Sequence, residues 1–167
     1  MSKVVPGRFS AQIDESFVVF LIGMRVNNIW AVNKWLPTAQ AMSPMLNALH
    51  LYPDKGFLGQ ESFFRLFPLC TIMTTYWKSF EQLEYFARNT DDPHLEPWRA
   101  FNRSIGNDGS VGIWHETYLV QAGQSESIYV NMPVFGLAAA TNHVPIVSRK
   151  ETARQRLGGD NTPAVSD

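Results

Sequence analysis

The segment 16–26, SFVVFLIGMRV, constrains the fold of this chain more than any other. Its residues are mainly β-branched, aromatic or aliphatic, and polar residues bound it. A short apolar run of this kind predicts a strand that is buried on both faces. The run has about half the length that a membrane-spanning helix needs, so no membrane span is expected here.

Helical patterns are expected in three segments: 33–52, 79–89 and 92–106. In the first of them, Pro37 is expected in the first turn, where proline is tolerated, and Pro44 is expected to kink or divide the helix. Ser79 and Gln82 have the spacing of a capping box, which predicts that the second helix begins at Ser79.

Extended patterns are expected at 16–26, 56–67, 69–78 and 110–121, with a short fifth piece at 125–133. The polar leader 1–16 could carry a short strand at its end. The resulting order, β-α-β-β-α-(α)-β, predicts an α+β fold of the ferredoxin-like type, an antiparallel sheet with helices on one face. A single domain is expected over 1–157, followed by a flexible tail, 158–167.

The composition excludes several classes of function. The net charge is −1 and the isoelectric point is about 6.4, whereas nucleic-acid binders usually have a basic excess. The lone Cys70 allows no internal disulfide, and no signal peptide is evident, so a cytoplasmic protein without membrane attachment is expected. Aromatic residues make up 13% of the chain, enough to wall a pocket for an apolar ligand.

Motifs of the common cofactor classes are absent from the sequence. It contains no glycine-rich phosphate loop and no GxSxG nucleophile elbow. No pair of histidines has the HxxxH or HExxH spacing of a metal site. No metal and no nucleotide or flavin cofactor is therefore expected.

The segment GIWHETYLV, 112–120, carries the strongest candidates for chemistry. Because strand side chains alternate, His115 should share one face with Ile113, while Trp114, Glu116 and Tyr118 share the other. His115 is the candidate general base, since imidazole exchanges protons near neutral pH, and it could also bind a haem or a metal. The alternative is a half-buried histidine that hydrogen-bonds across a dimer.

Two further residues are candidates for stabilising a substrate anion. Arg25 could hold an enolate with its planar guanidinium group, or could pair with a carboxylate at a dimer edge. The hydroxyl of Tyr118 could orient a substrate. The predicted pocket residues are Trp30, Trp35, Tyr76, Trp77, Trp114, Asn131 and His143. Packing in the core is the alternative for Trp30, Trp35 and Trp114. Tyr76 and Trp77 should point to opposite faces, so at most one of them lines any single cavity.

Five blocks together resemble the monooxygenase-like family typified by a small oxygenase of the fungal fumagillin pathway. They are PGRFSAQIDESFVVFLIGMRVNNIWAVNKWLP, YWKSFEQLEYFAR, HLEPWRAFNR, VGIWHETYLV and NMPVFGLAAA. The resemblance covers roughly residues 3–158 and follows these blocks in order. The family lies near the antibiotic-biosynthesis monooxygenases, in the dimeric α/β-barrel superfamily. The resemblance implies a homodimer whose sheets face each other, and a pocket between sheet and helices in each protomer.

The function expected from residues and resemblance together is a monooxygenase that acts on a hydrophobic, secondary-metabolite-like small molecule without flavin or metal. His115 would remove a proton, Arg25, Tyr118 or an asparagine would steady the anion, and molecular oxygen would react with it. One alternative is a haem enzyme of the same superfamily, dehydratase- or haem-oxygenase-like, with His115 or His143 as axial ligand. The other is a non-catalytic dimer that binds a hydrophobic ligand.

Overall fold

The structure, a computed structural model, describes residues 3–40, 49, 53–88, 107–148 and 150–159. Its strands are β1 Val5–Gln12, β2 Phe17–Val26, β3 Phe57–Arg65, β4 Cys70–Trp77, β5 Val111–Val120, β6 Tyr129–Met132 and β7 Asn142–Pro145. Its α-helices are α1 Val32–Gln40, α2 Phe80–Arg88, α3 Leu137–Ala140 and α4 Ala153–Arg156, and a 3₁₀ turn spans Pro53–Lys55. No helix in these ranges is long and apolar enough to cross a membrane.

The chain forms two compact units. The central unit comprises Val18–Tyr118, and the terminal unit comprises Met1–Phe17 together with Leu119–Asp167. In the central unit the strand order is β3-β4-β2-β5, and β4 runs antiparallel to both of its neighbours. Antiparallel sheets with a few helices make this an α+β fold of the ferredoxin-like type, so the fold class predicted from the sequence is confirmed.

The two described helices of the central unit, α1 and α2, pack on one face of its sheet. Val18 on β2 and Trp77 on β4 pack against Leu83 and Phe86 of α2. Towards the other end of β2, the buried residues Met24, Val26 and Val111 pack against residues that include Trp35 and Ala39 of α1. Nearly all of β2 is buried or half-buried, as its apolar sequence predicts.

The start of α1 differs from the prediction. The carbonyl of Ala31 accepts hydrogen bonds from the amides of Lys34 (2.9 Å) and Trp35 (3.2 Å), so the helix begins earlier in the chain. Pro37 therefore lies inside the helix and not in its first turn. The predicted kink at Pro44 and the predicted helix at 92–106 lie outside the described residues.

Ser79 caps α2 as predicted, whereas the Gln82 side chain of the predicted capping box lies against Gly56. The backbone amide of Gln82 donates to Ser79 Oγ at 3.2 Å, which satisfies one of the free amides at the helix start. Both residues of the contact lie within one turn, which is why the sequence alone predicts it.

The terminal unit has a three-stranded sheet of its own, in the order β6-β1-β7. β1 occupies the middle of this sheet and is longer than the short strand allowed for the leader. Its partners lie more than 100 residues away, as the pairs Phe9 with Tyr129 and Ala11 with His143 show. Further along this unit, α4 begins with a capping box of Thr152 and Gln155, a helix that the sequence patterns did not predict.

Candidate functional site

The two faces of the central sheet carry different residues. On β2 the residues Val18, Phe20 and Met24 belong to the helix-packed clusters, so alternation turns Gly23 and Arg25 to the opposite face. We call these the helix-covered face and the open face.

Alternate residues of β5 lie on the two faces of this sheet. A Cβ on Gly23 would lie 2.5 Å from Nε1 of Trp114, so the indole lies directly over the open face at this glycine. Glu116 and Tyr118 alternate with Trp114 and share its face, while Ile113 packs in a cluster on the helix-covered side.

His115 lies on the helix-covered face, as its contact shows. Its ring centroid is 5.6 Å from that of Phe20, at an interplanar angle of 40°. Phe20 in turn packs against the cluster that contains Trp77 and Phe86. The imidazole itself is exposed, so a proton acceptor stands at the border between an aromatic cluster and solvent.

The aromatic cluster beneath His115 is a packed core. Trp77 is 2% exposed and contacts the rings of Phe57 and Phe86, each with a centroid distance of 5.5 Å. Its indole Nε1 donates to the buried Thr75 Oγ1 at 2.8 Å, and Thr75 Oγ1 donates to the carbonyl of Phe20 at 3.1 Å. Trp77 is thus part of the packed core.

On the open face, Tyr118 and Glu116 form a close pair. The phenol hydroxyl donates to Glu116 Oε2 at 2.5 Å. This hydrogen bond, with the negative charge of the carboxylate, raises the pKa of Tyr118 above its ordinary value of 10.0. Both side chains are exposed, so the pair is accessible from outside the sheet.

Arg25 also lies on the open face, in a row that crosses three strands. Its cross-strand partner is Cys70, and the partner of Cys70 on the other side is Arg65. Both arginines are exposed, and the thiol between them is buried. Tyr76 is on the same face, since it pairs with Val19 of β2.

The two tryptophans near α1 have different surroundings. Trp30 is 89% exposed in the loop before the helix. Trp35 packs against the cluster of Met24 and Val26, and its Nε1 donates to the carbonyl of Ile29 at 2.9 Å. Its packing and hydrogen bond hold the loop against the helix-covered side.

Asn131 and His143 belong to the terminal unit. Asn131 adopts a left-handed backbone conformation, with φ of 51°, and its Oδ1 accepts the amide of Gly7 at 3.0 Å. His143 stacks on Phe9 with a centroid distance of 4.2 Å, and its Nε2 is buried without a hydrogen-bond partner in the described part of the chain. Asn131 therefore lies within β6 at the irregularity in its pairing with β1, a position that the sequence did not indicate.

The two histidines proposed as haem ligands differ in access. The Nε2 of His143 is buried, and its ring is stacked on Phe9 and contacts the edge of Tyr129. His115 is exposed and fits an axial ligand better. Among the described residues, no group of three or more His, Cys, Asp or Glu side chains could hold a metal ion.

The sequence did not predict a cavity of about 280 Å³ in the terminal unit. Its lining includes Asp14, Glu126, Lys150 and Arg156. The side chain of Arg156 is 7% exposed and its Nε donates to Glu126 Oε2 at 2.7 Å. Arg156 Nη1 also donates to the carbonyls of Lys150 and Glu151, so the arginine ties α4 to the preceding loop. No short motif marks these residues, because they meet only after folding.

The structure thus divides the predicted site residues into three groups. The helix-covered side holds His115, Trp35 and Trp77, the open face holds Arg25, Tyr76, Trp114 and Tyr118, and the terminal unit holds Asn131 and His143. His115 is therefore separated by the sheet from Arg25 and Tyr118. Trp30 belongs to none of these groups.

Comparisons with known proteins agree with this architecture. The model of the family described as monooxygenase af470-like matches residues 17–137. Monooxygenase af470 of Aspergillus fumigatus is 27% identical over 179 residues, which cover 95% of this chain and 62% of that protein. This chain therefore spans less than two thirds of the length of that curated relative.

Solved structures show the same fold at low sequence identity. An aldoxime dehydratase crystallised with butyraldoxime superposes with a TM-score of 0.61 at 15% identity, covering 80% of this chain and 39% of that one. A second aldoxime dehydratase superposes with a TM-score of 0.59 at 17% identity, covering 87% and 43%. At these identities the likeness concerns the fold alone.

Proposed function

This chain belongs to the monooxygenase af470-like family, and from that premise we propose that it oxidises a hydrophobic small molecule with molecular oxygen, without flavin or metal. The observation that carries the proposal is the position of His115. Its exposed imidazole stands beside Phe20, at the edge of an aromatic cluster on the helix-covered face. An apolar substrate that packs there brings an acidic C–H bond to a proton acceptor.

The reaction follows from this arrangement. The imidazole of His115 takes a proton from a methylene group beside a carbonyl, and the electron pair of the broken C–H bond remains as an enolate. The enolate gives its electrons to oxygen and a carbon–oxygen bond forms. The resulting peroxide anion takes back the proton from His115 and becomes a hydroperoxide. Loss of water from the hydroperoxide converts the methylene to a carbonyl. One oxygen atom enters the product and the other leaves as water, so the substrate itself supplies all the electrons.

The assignment of the anion-stabilising residues changes from the expectation. Arg25 and Tyr118 lie on the face opposite to His115, so one substrate molecule in a central unit cannot touch both sets. We assign the base to His115 alone. Arg25 and Tyr118 then belong to the surface that meets another molecule.

That other molecule is proposed to be a second copy of this chain. The open face carries Phe63 at 47% exposure and Tyr118 at 49%, beside Trp114 and Ile72. A sheet with helices on one face needs cover on the other, and apolar surface of this kind marks an interface. The proposed assembly is a homodimer through the open faces.

The test of the base is oxygen uptake with an anthrone-type tricyclic ketone as substrate. His115→Ala should reduce turnover by about 100-fold or more, which is typical for loss of a general base. Glu116→Gln, which changes the neighbouring residue on the other face, is the matched control and should retain turnover. Equal turnover in wild type and His115→Ala would exclude His115 as the base, whereas loss in Glu116→Gln alone would move the reaction to the open face.

The haem alternative has a separate test, because a haem would need an accessible axial ligand such as His115. Absorption spectra of the protein are recorded before and after addition of hemin. A sharp Soret band at one haem per chain that is lost in His115→Ala would support the haem enzyme. Spectra without such a band would remove this alternative and leave oxygen uptake to separate the oxygenase from a passive ligand-binding dimer.

A further inference from the structure

Four residues of the described strands carry the charges of the open face, and they lie on three of its four strands. They are Arg25 on β2, Arg65 and Glu61 on β3, and Glu116 on β5. β4 contributes only Cys70, Ile72, Thr74 and Tyr76 to this face. The charges of the face therefore sum to zero, but their positions are not mixed.

The cross-strand pairing sorts these charges into rows. Arg65, Cys70 and Arg25 form a basic row. Phe63, Ile72 and Gly23 form the next row, which is apolar and carries the Trp114 indole over Gly23.

One step further along the strands, Glu61, Thr74 and Leu21 form a row of which Glu61 is the charged member. Glu116 follows Trp114 by two residues on β5 and so lies at the same end of the face, which makes this the acidic row. Successive rows on one face are separated by about 7 Å, so the basic and acidic rows lie about 13 Å apart.

Two copies that stack through this face have two simple ways to do so. A twofold axis between stacked sheets lies parallel to them. If the axis runs along the strands, each row meets the same row of the partner, and four arginines come together. If the axis runs across the strands along the apolar row, each basic row meets the acidic row of the partner.

We propose that the twofold axis of the homodimer runs across the strands, along the apolar row of Phe63, Ile72 and Trp114. This rests on the proposed homodimer and specifies its register. Arg65 of one copy then lies over Glu61 of the other, since both belong to β3, and Arg25 lies beside Glu116. The apolar row meets itself at the axis.

The burial of the residues agrees with this register. Arg25, Arg65 and Glu116 are exposed, so their charged ends are accessible to a partner. The indole of Trp114 lies over Gly23, where the absence of a side chain lets the ring approach the sheet closely. Aromatic side chains at the centre with charges around them are the usual composition of a specific interface.

Exchanging the charges of the two rows tests the register. The dissociation constant of the dimer is measured by sedimentation velocity of the full chain over a range of concentrations. The pair Arg25→Glu with Arg65→Glu should weaken the dimer by about tenfold or more, because two acidic rows then face each other. Glu61→Lys with Glu116→Lys should weaken it similarly. All four changes in one chain should restore the wild-type dissociation constant, since the two rows have only exchanged signs.

The control variant reverses the charge of two cations that lie outside the basic and acidic rows. Lys78→Glu with Arg154→Glu alters two exposed cations that do not lie in these rows, and should leave the dissociation constant unchanged. A dimer that is unaffected by either charge pair, or that is weakened further by the fourfold exchange, would overturn the register while the homodimer stands. A wild-type chain that stays monomeric at all concentrations would overturn the homodimer itself, and oxygen uptake would still test the proposed chemistry.

Discussion

The two faces of the central sheet are made by alternate residues of the same strands, yet they have opposite characters. On the helix-covered face Thr75 and Trp77 are each 2% exposed and satisfy each other's polar groups. On the open face Arg25, Arg65 and Glu116 are exposed and lie in rows of like charge. The difference shows that one set of side chains is buried and stabilises the fold, while the other set is exposed.

The largest expected effect is the loss of stability when Trp77 is truncated, compared with the truncation of Trp114 on the opposite face. Trp77→Ala should lower the free energy of unfolding by roughly 3 to 5 kcal/mol, because it removes a fully buried ring from the core. Trp114→Ala should cost about 1 kcal/mol, since its ring lies on the half-buried face. Urea unfolding at one low protein concentration measures both, and equal losses would contradict the division between the faces.

Gly23→Ala sharpens the comparison at the point where Trp114 lies closest to the sheet. The new methyl group would come within 2.5 to 2.8 Å of three indole atoms, so the ring must move. The expected loss is about 1 to 3 kcal/mol, as for overpacking. In the Trp114→Ala background the same change should cost much less, and an undiminished loss there would show that the indole is not the obstacle.

A third effect concerns the hydrogen bonds of the helix-covered face. Thr75→Val leaves the indole N–H of Trp77 and the carbonyl of Phe20 without their partner, at a cost of roughly 1 to 1.5 kcal/mol. Thr74→Val changes the adjacent residue on the open face and should cost almost nothing. The difference between the two variants in thermal unfolding checks this, and a larger loss for Thr74→Val would reverse the assignment of faces.

The contact between α1 and the loop before β5 should depend on pH. Lys34 donates to Asp108, and with the amide and hydroxyl of Ser110 it lowers the pKa of Asp108 to about 2 from 3.8. Because the pKa of Asp108 is lower in the folded state, its carboxylate stabilises the fold at pH values above the unfolded-state pKa. This stabilisation is lost as the pH falls through the folded-state pKa. The advantage of wild type over Asp108→Asn should thus be complete above about pH 4 and vanish towards pH 2, when unfolding is followed by circular dichroism.

The smallest expected effect is on the ionisation of Tyr118. Glu116 raises the pKa of Tyr118, so its phenolate absorption should appear at a higher pH than in Glu116→Gln. Any stabilisation of the fold by the hydrogen bond from Tyr118 to Glu116 is present below pH 10. It is lost as the pH rises through the folded-state pKa of Tyr118. Spectra of each chain minus the matching Tyr118→Phe variant isolate this tyrosine, and identical titrations would show that the pair is not formed in solution.

The sequence by itself determined the elements whose causes are local. The apolar runs specify β2 to β5, and Ser79 caps α2 through a residue three positions away. The alternation within β5 already separates His115 from Tyr118. Each of these follows from contacts or periodicity within a few residues, so no knowledge of distant partners was needed.

Only the tertiary structure decided which residues of different strands share a face. The pairing of Arg25 and Arg65 with Cys70 depends on the register of three strands, which no short segment specifies. The packing of α1 and α2 selects the side on which His115 stands and leaves Arg25 on the other. The length of β1 was underestimated for the same reason, because the strands that complete its sheet lie more than 100 residues further along the chain.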